Sequence, residues 1–358
     1  MIVNGKERGG LNFYRGNIAI IFELSKNMPM LFGNLMQNAS FFSLFLQIMC
    51  KIAIFAFKIC FKTDEKDPKN QIKMKRKQLF TLLLLFCLPL MAQAGKPDKN
   101  FHIFLCFGQS NMEAGARPAE QDKDFNDPRF QFLAAVNMPR TQREMGHWYT
   151  AIPPICREGN NMGPVDFFGR KMIESIDKRY RIGVINVSVA GAKIELWDKD
   201  DYKEYIDNER DWMKAIVNQY DGNPYQRLVD MARIAQKDGV IKGILIHQGE
   251  SNSDDPKWPE RVAKIYHDLC ADLNLNPKDV PLLAGELKHE EQGGVCWRFN
   301  VDILPNLPKT LPNSYIISSK DCESTGDQFH FSTEGMRTLG YRYAEQMLKL
   351  HKYKMKKK

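Results

Sequence analysis

FLCFGQSNMEAG, from Phe104 to Gly115, begins as an uninterrupted apolar run and breaks at a glycine into small polar residues around Ser110. A short apolar run closed by a turn residue fits a strand covered on both faces. Gly108 allows a tight turn after it. A serine at the start of the helix that follows has an exposed hydroxyl and a free backbone N–H able to stabilise an anion. Serine is also a favoured helix N-cap, so the stretch gains chemical meaning only from what the rest of the chain brings to it.

The same pattern recurs outward from this point. Apolar runs at Phe101–Phe107, Ile182–Val189, Ile241–His247, Pro281–Glu286 and Ser314–Ser318 alternate with helical patterns at Val165–Lys178, Pro224–Lys237, Pro259–Leu273 and Thr333–His351. Such alternation is the signature of βαβ units and a mainly parallel sheet. The expected fold is therefore α/β, a three-layer α/β/α sandwich on a five-stranded sheet. Residues 125–163 show no clear period and read as a long loop region. In a sheet of this kind ligands sit beyond the carboxyl ends of the strands, where the loops converge.

The chain has 358 residues and a formal net charge of +8, but the charge is unevenly placed. Residues 1–94 carry 13 Lys and Arg against 5 Asp and Glu, which leaves 38 of each sign in the remainder. A balanced remainder offers no electrostatic footprint for nucleic acid. Met74 to Ala94, MKRKQLFTLLLLFCLPLMAQA, reads as a secretory signal with a basic start, an apolar stretch and an Ala-Gln-Ala cleavage site. The expected organisation is thus an extension over 1–73 that arises from a misplaced start, a signal peptide over 74–94, one domain over 95–351 and a solvated basic tail over 352–358. The expected location is secreted or periplasmic, after cleavage near Ala94. The rival for the N-terminal region is an anchor at Phe41–Phe61, which Lys51 and Lys58 interrupt. No stable membrane insertion is expected after cleavage, and the oligomeric state stays open. Five cysteines follow the signal, Cys106, Cys156, Cys270, Cys296 and Cys322. They lack C-x-x-C spacing, so a zinc site is not expected, while an oxidising compartment allows one or two disulfides of undetermined pairing.

Polar residues cluster just after the expected strands. Gln109, Ser110 and Asn111 follow the first, Gly191 follows the second, and His247-Gln248-Gly249-Glu250-Ser251-Asn252 closes the third. Gln248 can donate from its amide, and Glu250 is better placed to orient its neighbours than to attack. Before the last helix stands Asp327-Gln328-Phe329-His330, in which a carboxylate three residues before an imidazole can fix its tautomer and leave the other nitrogen to accept a hydroxyl proton. The order Ser, Asp, His along one α/β chain gives this short motif its weight.

With these residues in place, the blocks FGQSNM, NMGPVDFFG, VSVAGAKIELW, IHQGESN and DQFHFSTEG, spread over residues 101–348, resemble the SGNH-hydrolase superfamily. More narrowly they resemble its sialate O-acetylesterase and acetyl xylan esterase branch, carbohydrate esterase family six. The resemblance implies a flavodoxin-like SGNH hydrolase fold, with Ser110 as nucleophile, His330 as general base and Asp327 as the acid that orients it. It implies oxyanion donors at the Ser110 and Gly191 backbone and at Gln248, with Gln109, Asn111 and Glu250 in support. It implies no metal or other cofactor, and an acetylated carbohydrate as substrate. Asn252 departs from the aspartate many relatives carry after Gly-Glu-Ser. Trp148, Trp197, Trp258 and Trp297 are candidate sugar contacts, as are Arg157 and Glu158, each with ordinary burial or solvation as the alternative. Two other readings compete: a lipase or thioesterase on the same scaffold, which would need an apolar acyl groove, and a carbohydrate-binding protein without turnover, which would not need a nucleophile and an oriented base.

Overall fold

A computed structural model of the chain describes residues 96–356. The expected extension, signal peptide and Phe41–Phe61 segment lie outside the described residues. Among the described residues, no helix is long and apolar enough to cross a membrane.

The run that opened the sequence forms β1 (Phe101–Gly108), and all eight of its residues are buried. Its faces are covered by packed layers and its edges by neighbouring strands. β1 pairs in parallel with β4 (Arg181–Ser188) on one side and β5 (Val240–His247) on the other. The sheet continues through β6 (Leu282–Gly285) and β7 (Ser314–Ile317), all parallel. These are the five expected strands, and their bounds agree with the expectation to within two residues.

The sheet has seven strands, not five, because the region read as loop contributes β2 (Phe130–Leu133) and β3 (Trp148–Thr150). β2 runs parallel to β4, and β3 closes the edge antiparallel to it, giving the order β3-β2-β4-β1-β5-β6-β7. Strands of four and three residues are too short to establish a period of two, so pairing rather than pattern defines them.

Helices cover both faces. After the single turn α1 (Ser110–Glu113), α2 (Pro164–Ser175) follows β3. Two short helices, α3 (Tyr202–Asp207) and α4 (Asp211–Asn218), precede α5 (Pro224–Ala235). The set is completed by α6 (Trp258–Asp272), α7 (Leu307–Thr310) and α8 (Thr333–His351). α2 and α8 pack on each other over one face, so closely that a Cβ on Gly340 would lie 2.5 Å from the Pro164 carbonyl oxygen. Phe104 points to this face against Phe168, and Phe107 points to the opposite face against Trp197. The helix patterns give α2, α5, α6 and α8 nearly residue for residue. The polar sequence around α3 and α4 hides those two.

In the basic tail the lysines at 352, 354 and 356 are exposed, while Tyr353 and backbone bonds hold residues 352–356 to the domain. Tyr353 is buried and donates its hydroxyl to His102 Nδ1 at 2.6 Å, while His102 Nε2 donates to the Lys99 carbonyl at 3.0 Å. Asp177 N donates to Lys354 O and Lys356 N to Ser175 O, each at 2.9 Å. Cys106, Cys156, Cys270, Cys296 and Cys322 are all free thiols, so none of the disulfides that an oxidising compartment would allow joins them.

One buried charge cluster ties α2 to α8. Asp122 receives Arg170 Nη1 at 2.9 Å and a two-pronged contact from Arg337 at 3.0 and 2.8 Å. Beside it Asp166, fully buried, accepts from Gly163 N at 2.9 Å. Burial pushes the Asp166 carboxyl up to about 7, against the pull of the Gly163 bond and the Arg170 charge. The folded chain therefore keeps a proton that the unfolded chain releases above the ordinary carboxylate value of 3.8. Stability from this residue is full below that value and is lost as pH rises toward about 7. Asp166→Asn is expected to flatten this decline, seen as denaturation midpoints that differ less between pH 4.5 and pH 7 than those of the parent.

Candidate active site

The carboxyl ends of β1, β4 and β5 come level, with Gly108 opposite both Ser188 and His247. Gly108 has φ +154°, and a Cβ there would lie 2.1 Å from the His247 carbonyl oxygen. Only glycine lets the chain turn this tightly against β5, and the turn delivers Ser110 to the first position of α1.

His330 reaches Ser110 from the far end of the chain. Its Nε2 lies 2.9 Å from Ser110 Oγ, and its Nδ1 lies 2.7 Å from Asp327 Oδ2. Because the carboxylate accepts, Nδ1 carries the hydrogen, and Nε2 accepts from the serine hydroxyl. Asp327 Oδ1 takes the backbone N–H groups of Phe329 and His330 at 2.8 and 2.7 Å. Burial raises the Asp327 carboxyl, but these bonds outweigh it and hold the group well below the usual carboxylate range. Lys288, buried and unremarked in the sequence, donates to the Asp327 carbonyl oxygen at 2.5 Å and braces the loop from below.

The supporting residues link the loops. Asn111 Nδ2 donates to Glu250 Oε1 at 2.7 Å and to the Phe329 carbonyl at 3.0 Å, joining the β1, β5 and His330 loops. Gln109 Oε1 accepts from Gly249 N and Ser251 N, both at 3.3 Å. Burial pushes the Glu250 carboxyl up, opposed by the Asn111 bond. His247 below it is fully buried, and desolvation lowers it to about 3, so it stays neutral.

The two backbone donors expected for an oxyanion are both available. Among the described residues, neither Ser110 N–H nor Gly191 N–H donates to a protein oxygen. Gly191 sits at φ +69°, a left-handed turn that glycine adopts without cost. Its loop is fixed by buried Glu113, which accepts from Ala190 N and pairs with the partly buried Arg157. Arg157 thus pairs with Glu113, and Glu158 accepts from the Arg140 and Thr141 N–H groups. Glu113 is a residue of this cluster that sequence reasoning missed, though it stands three positions after Ser110.

Gln248 is placed differently from expectation. It is 1% exposed, its Oε1 accepts from Trp258 Nε1, and its Nε2 faces Asn252 Oδ1 at 2.7 Å and both Gln109 Oε1 and the Ala192 carbonyl at 3.2 Å. Its amide hydrogens are engaged by the protein, so donation to an oxyanion requires exchanging one of these bonds.

Of the expected aromatic contacts, Trp197 and Trp258 are fully buried. Trp148 packs on Phe101 at the opposite edge of the sheet, and the Trp297 ring carries Arg298 5.0 Å from its centroid. Among the described residues, no group of three or more His, Cys, Asp or Glu is placed to hold a metal ion.

Over residues 100–349 the chain matches the family model for "Carbohydrate esterase, sialic acid-specific acetylesterase". Among solved structures it is similar to a protein from Arabidopsis thaliana at 20% identity, covering 70% of this chain and 99% of that one with a TM-score of 0.52. A carbohydrate acetylesterase from Xanthomonas citri is 20% identical over 69% of this chain and 56% of that one, TM-score 0.49. NanS is 17% identical over 72% and 99%, TM-score 0.48. At such identities the likeness concerns the fold.

Asn252 has a local physical account. Its Oδ1 accepts from Ile194 N at 2.8 Å and from Gln248, while its Nδ2 donates to Glu195 Oε2 at 3.0 Å. An aspartate here would set two carboxylates against each other in a buried site. Asn252→Asp is expected to cost about 1–3 kcal/mol in chemical denaturation, and Glu195→Gln in the same chain to recover most of it.

Proposed function

The chain belongs to the carbohydrate esterase, sialic acid-specific acetylesterase family, and from that membership and the site geometry we propose that it removes acetyl esters from sugars with Ser110, His330 and Asp327 as its catalytic residues. It is a serine ester hydrolase acting on carbohydrates. The observation that carries the finer reading is the unbroken relay from Asp327 Oδ2 through His330 to Ser110 Oγ, at 2.7 and 2.9 Å, beside two unengaged backbone N–H groups.

In this reading Ser110 Oγ attacks the ester carbonyl carbon as its proton passes to His330 Nε2. The carbonyl oxygen becomes an oxyanion held by Ser110 N–H and Gly191 N–H, where removing one such donor typically costs about 2.7–4 kcal/mol. Gln248 joins as third donor if its amide exchanges a protein acceptor for the oxyanion. The C–O bond to the sugar then breaks, and the departing sugar oxygen takes the proton from His330. Water, deprotonated by His330, attacks the acetyl-serine, acetate leaves, and Ser110 recovers its proton. Asp327 keeps the imidazole in the tautomer each step needs and stabilises its charged form. No step calls on a metal or organic cofactor.

The signal-like segment Met74–Ala94 supports action outside the cytoplasm, on polysaccharide or glycoprotein sugar. The test is acetate release from acetylated xylan, O-acetylated sialic acid and 4-nitrophenyl acetate. Ser110→Ala is expected to lower kcat by on the order of 10⁴-fold or more. Asp327→Asn, which keeps the shape but misorients the imidazole, is expected to lower it by up to about 10⁴-fold. Full activity in Ser110→Ala would remove the serine mechanism. Activity confined to long-chain esters would favour the lipase reading.

A further inference from the structure

The chain has five tryptophans, and Trp212, which sequence reasoning passed over, is the one left exposed at the active site. It is the second residue of α4 and is 47% exposed. A tryptophan that bares half its surface is unusual, since its indole is among the largest apolar bodies a chain can bury. Its position is also fixed. The neighbouring Met213 is buried, lies 3.4 Å from the Tyr205 hydroxyl through its sulfur, and comes within 3.6 Å of a Cβ built on Gly191. Tyr205 in turn accepts from Lys193 N at 3.0 Å. α3 and α4 are therefore docked on the loop that carries Gly191, and Trp212 Cη2 comes within 3.0 Å of that same built Cβ. One edge of the indole covers the Gly191 backbone and the rest faces solvent.

We propose that Trp212 is the sugar-binding platform of this site, receiving the apolar C–H face of the ring that bears the acetyl group. This rests on the acetylesterase reading above. A pyranose presents weakly positive C–H hydrogens on one face and hydroxyls at its rim, which suits the negative face of an indole with open water around it. Of the other tryptophans two are buried, one lies at the opposite sheet edge, and one, less exposed than Trp212, already carries Arg298 on one of its faces. Phe329, 39% exposed beside the His330 ring, supplies a second aromatic wall on the side where the sugar oxygen must collect its proton. Trp212 touches no reacting atom, so its work is in binding and in selecting the alcohol part of the ester.

The test compares parent and Trp212→Ala on O-acetylated sialic acid, acetylated xylooligosaccharide and ethyl acetate, which lacks a sugar. The expected result is a KM raised about tenfold on the sugar esters, a several-fold smaller change on ethyl acetate, and partial recovery in Trp212→Tyr. Titrating Ser110→Ala with the same sugar esters is expected to change its tryptophan fluorescence, and Trp212→Phe in that background to abolish the change. A parent that hydrolyses sugar esters while Trp212→Ala keeps the same KM would overturn the platform and leave the acetylesterase reading intact. A Trp212→Ala enzyme that instead gains activity on longer acyl chains would make Trp212 a wall of the acyl pocket and also overturn it. A parent active on ethyl acetate and inactive on both sugar esters would overturn both.

Discussion

Everything at the catalytic edge depends on how closely two backbones pass at the end of β1. Gly108 lies so near the His247 carbonyl that no side chain fits between them. This forces the chain to turn at once, so Gln109 and Ser110 emerge over the gap between β4 and β5 instead of continuing along the sheet. The turn also puts Gln109 within reach of the Gly249 and Ser251 N–H groups and Asn111 within reach of Glu250. A serine on a turn would ordinarily be mobile. Here three side chains in succession are tied to, or work with, groups from distant loops.

The second ordering principle is that buried charge is used in pairs that join elements. Asp122 binds arginines from α2 and α8, and Glu113 with Arg157 anchors the loop that carries Gly191. Buried pairs of this kind are weak contributors to net stability, because desolvation offsets most of their attraction. They do exclude other arrangements, since moving either element alone would strand an uncompensated charge.

The sequence displayed the parts of this protein that obey a period or a spacing. β1, β4, β5, β6 and β7 are continuous apolar runs, and α2, α5, α6 and α8 carry enough turns for a stripe to show. Ser110, Asp327 and His330 could be picked out because each follows a strand or precedes a helix, and the structure brings them into one chain of contacts. β2 and β3 were not legible, being only four and three residues long and defined by pairing, β2 with β4 and β3 with β2. Trp212 and Lys288 were hidden for another reason. Their importance lies in what a distant loop brings beside them, and no local pattern encodes that. Gln248 illustrates the converse, a residue type suited to donation whose hydrogens the fold has engaged elsewhere.

The docking of Tyr353 against His102 gives the domain a front and a back. Its first strand begins, and its last helix ends, at the same rim of the sheet, the rim opposite Ser110. Ends of the described domain that meet this way can be extended without crossing the catalytic mouth. A tether to a cell surface, a matrix or a second module, attached at either terminus, would hold the enzyme by its heel. The mouth would then face away from the tether.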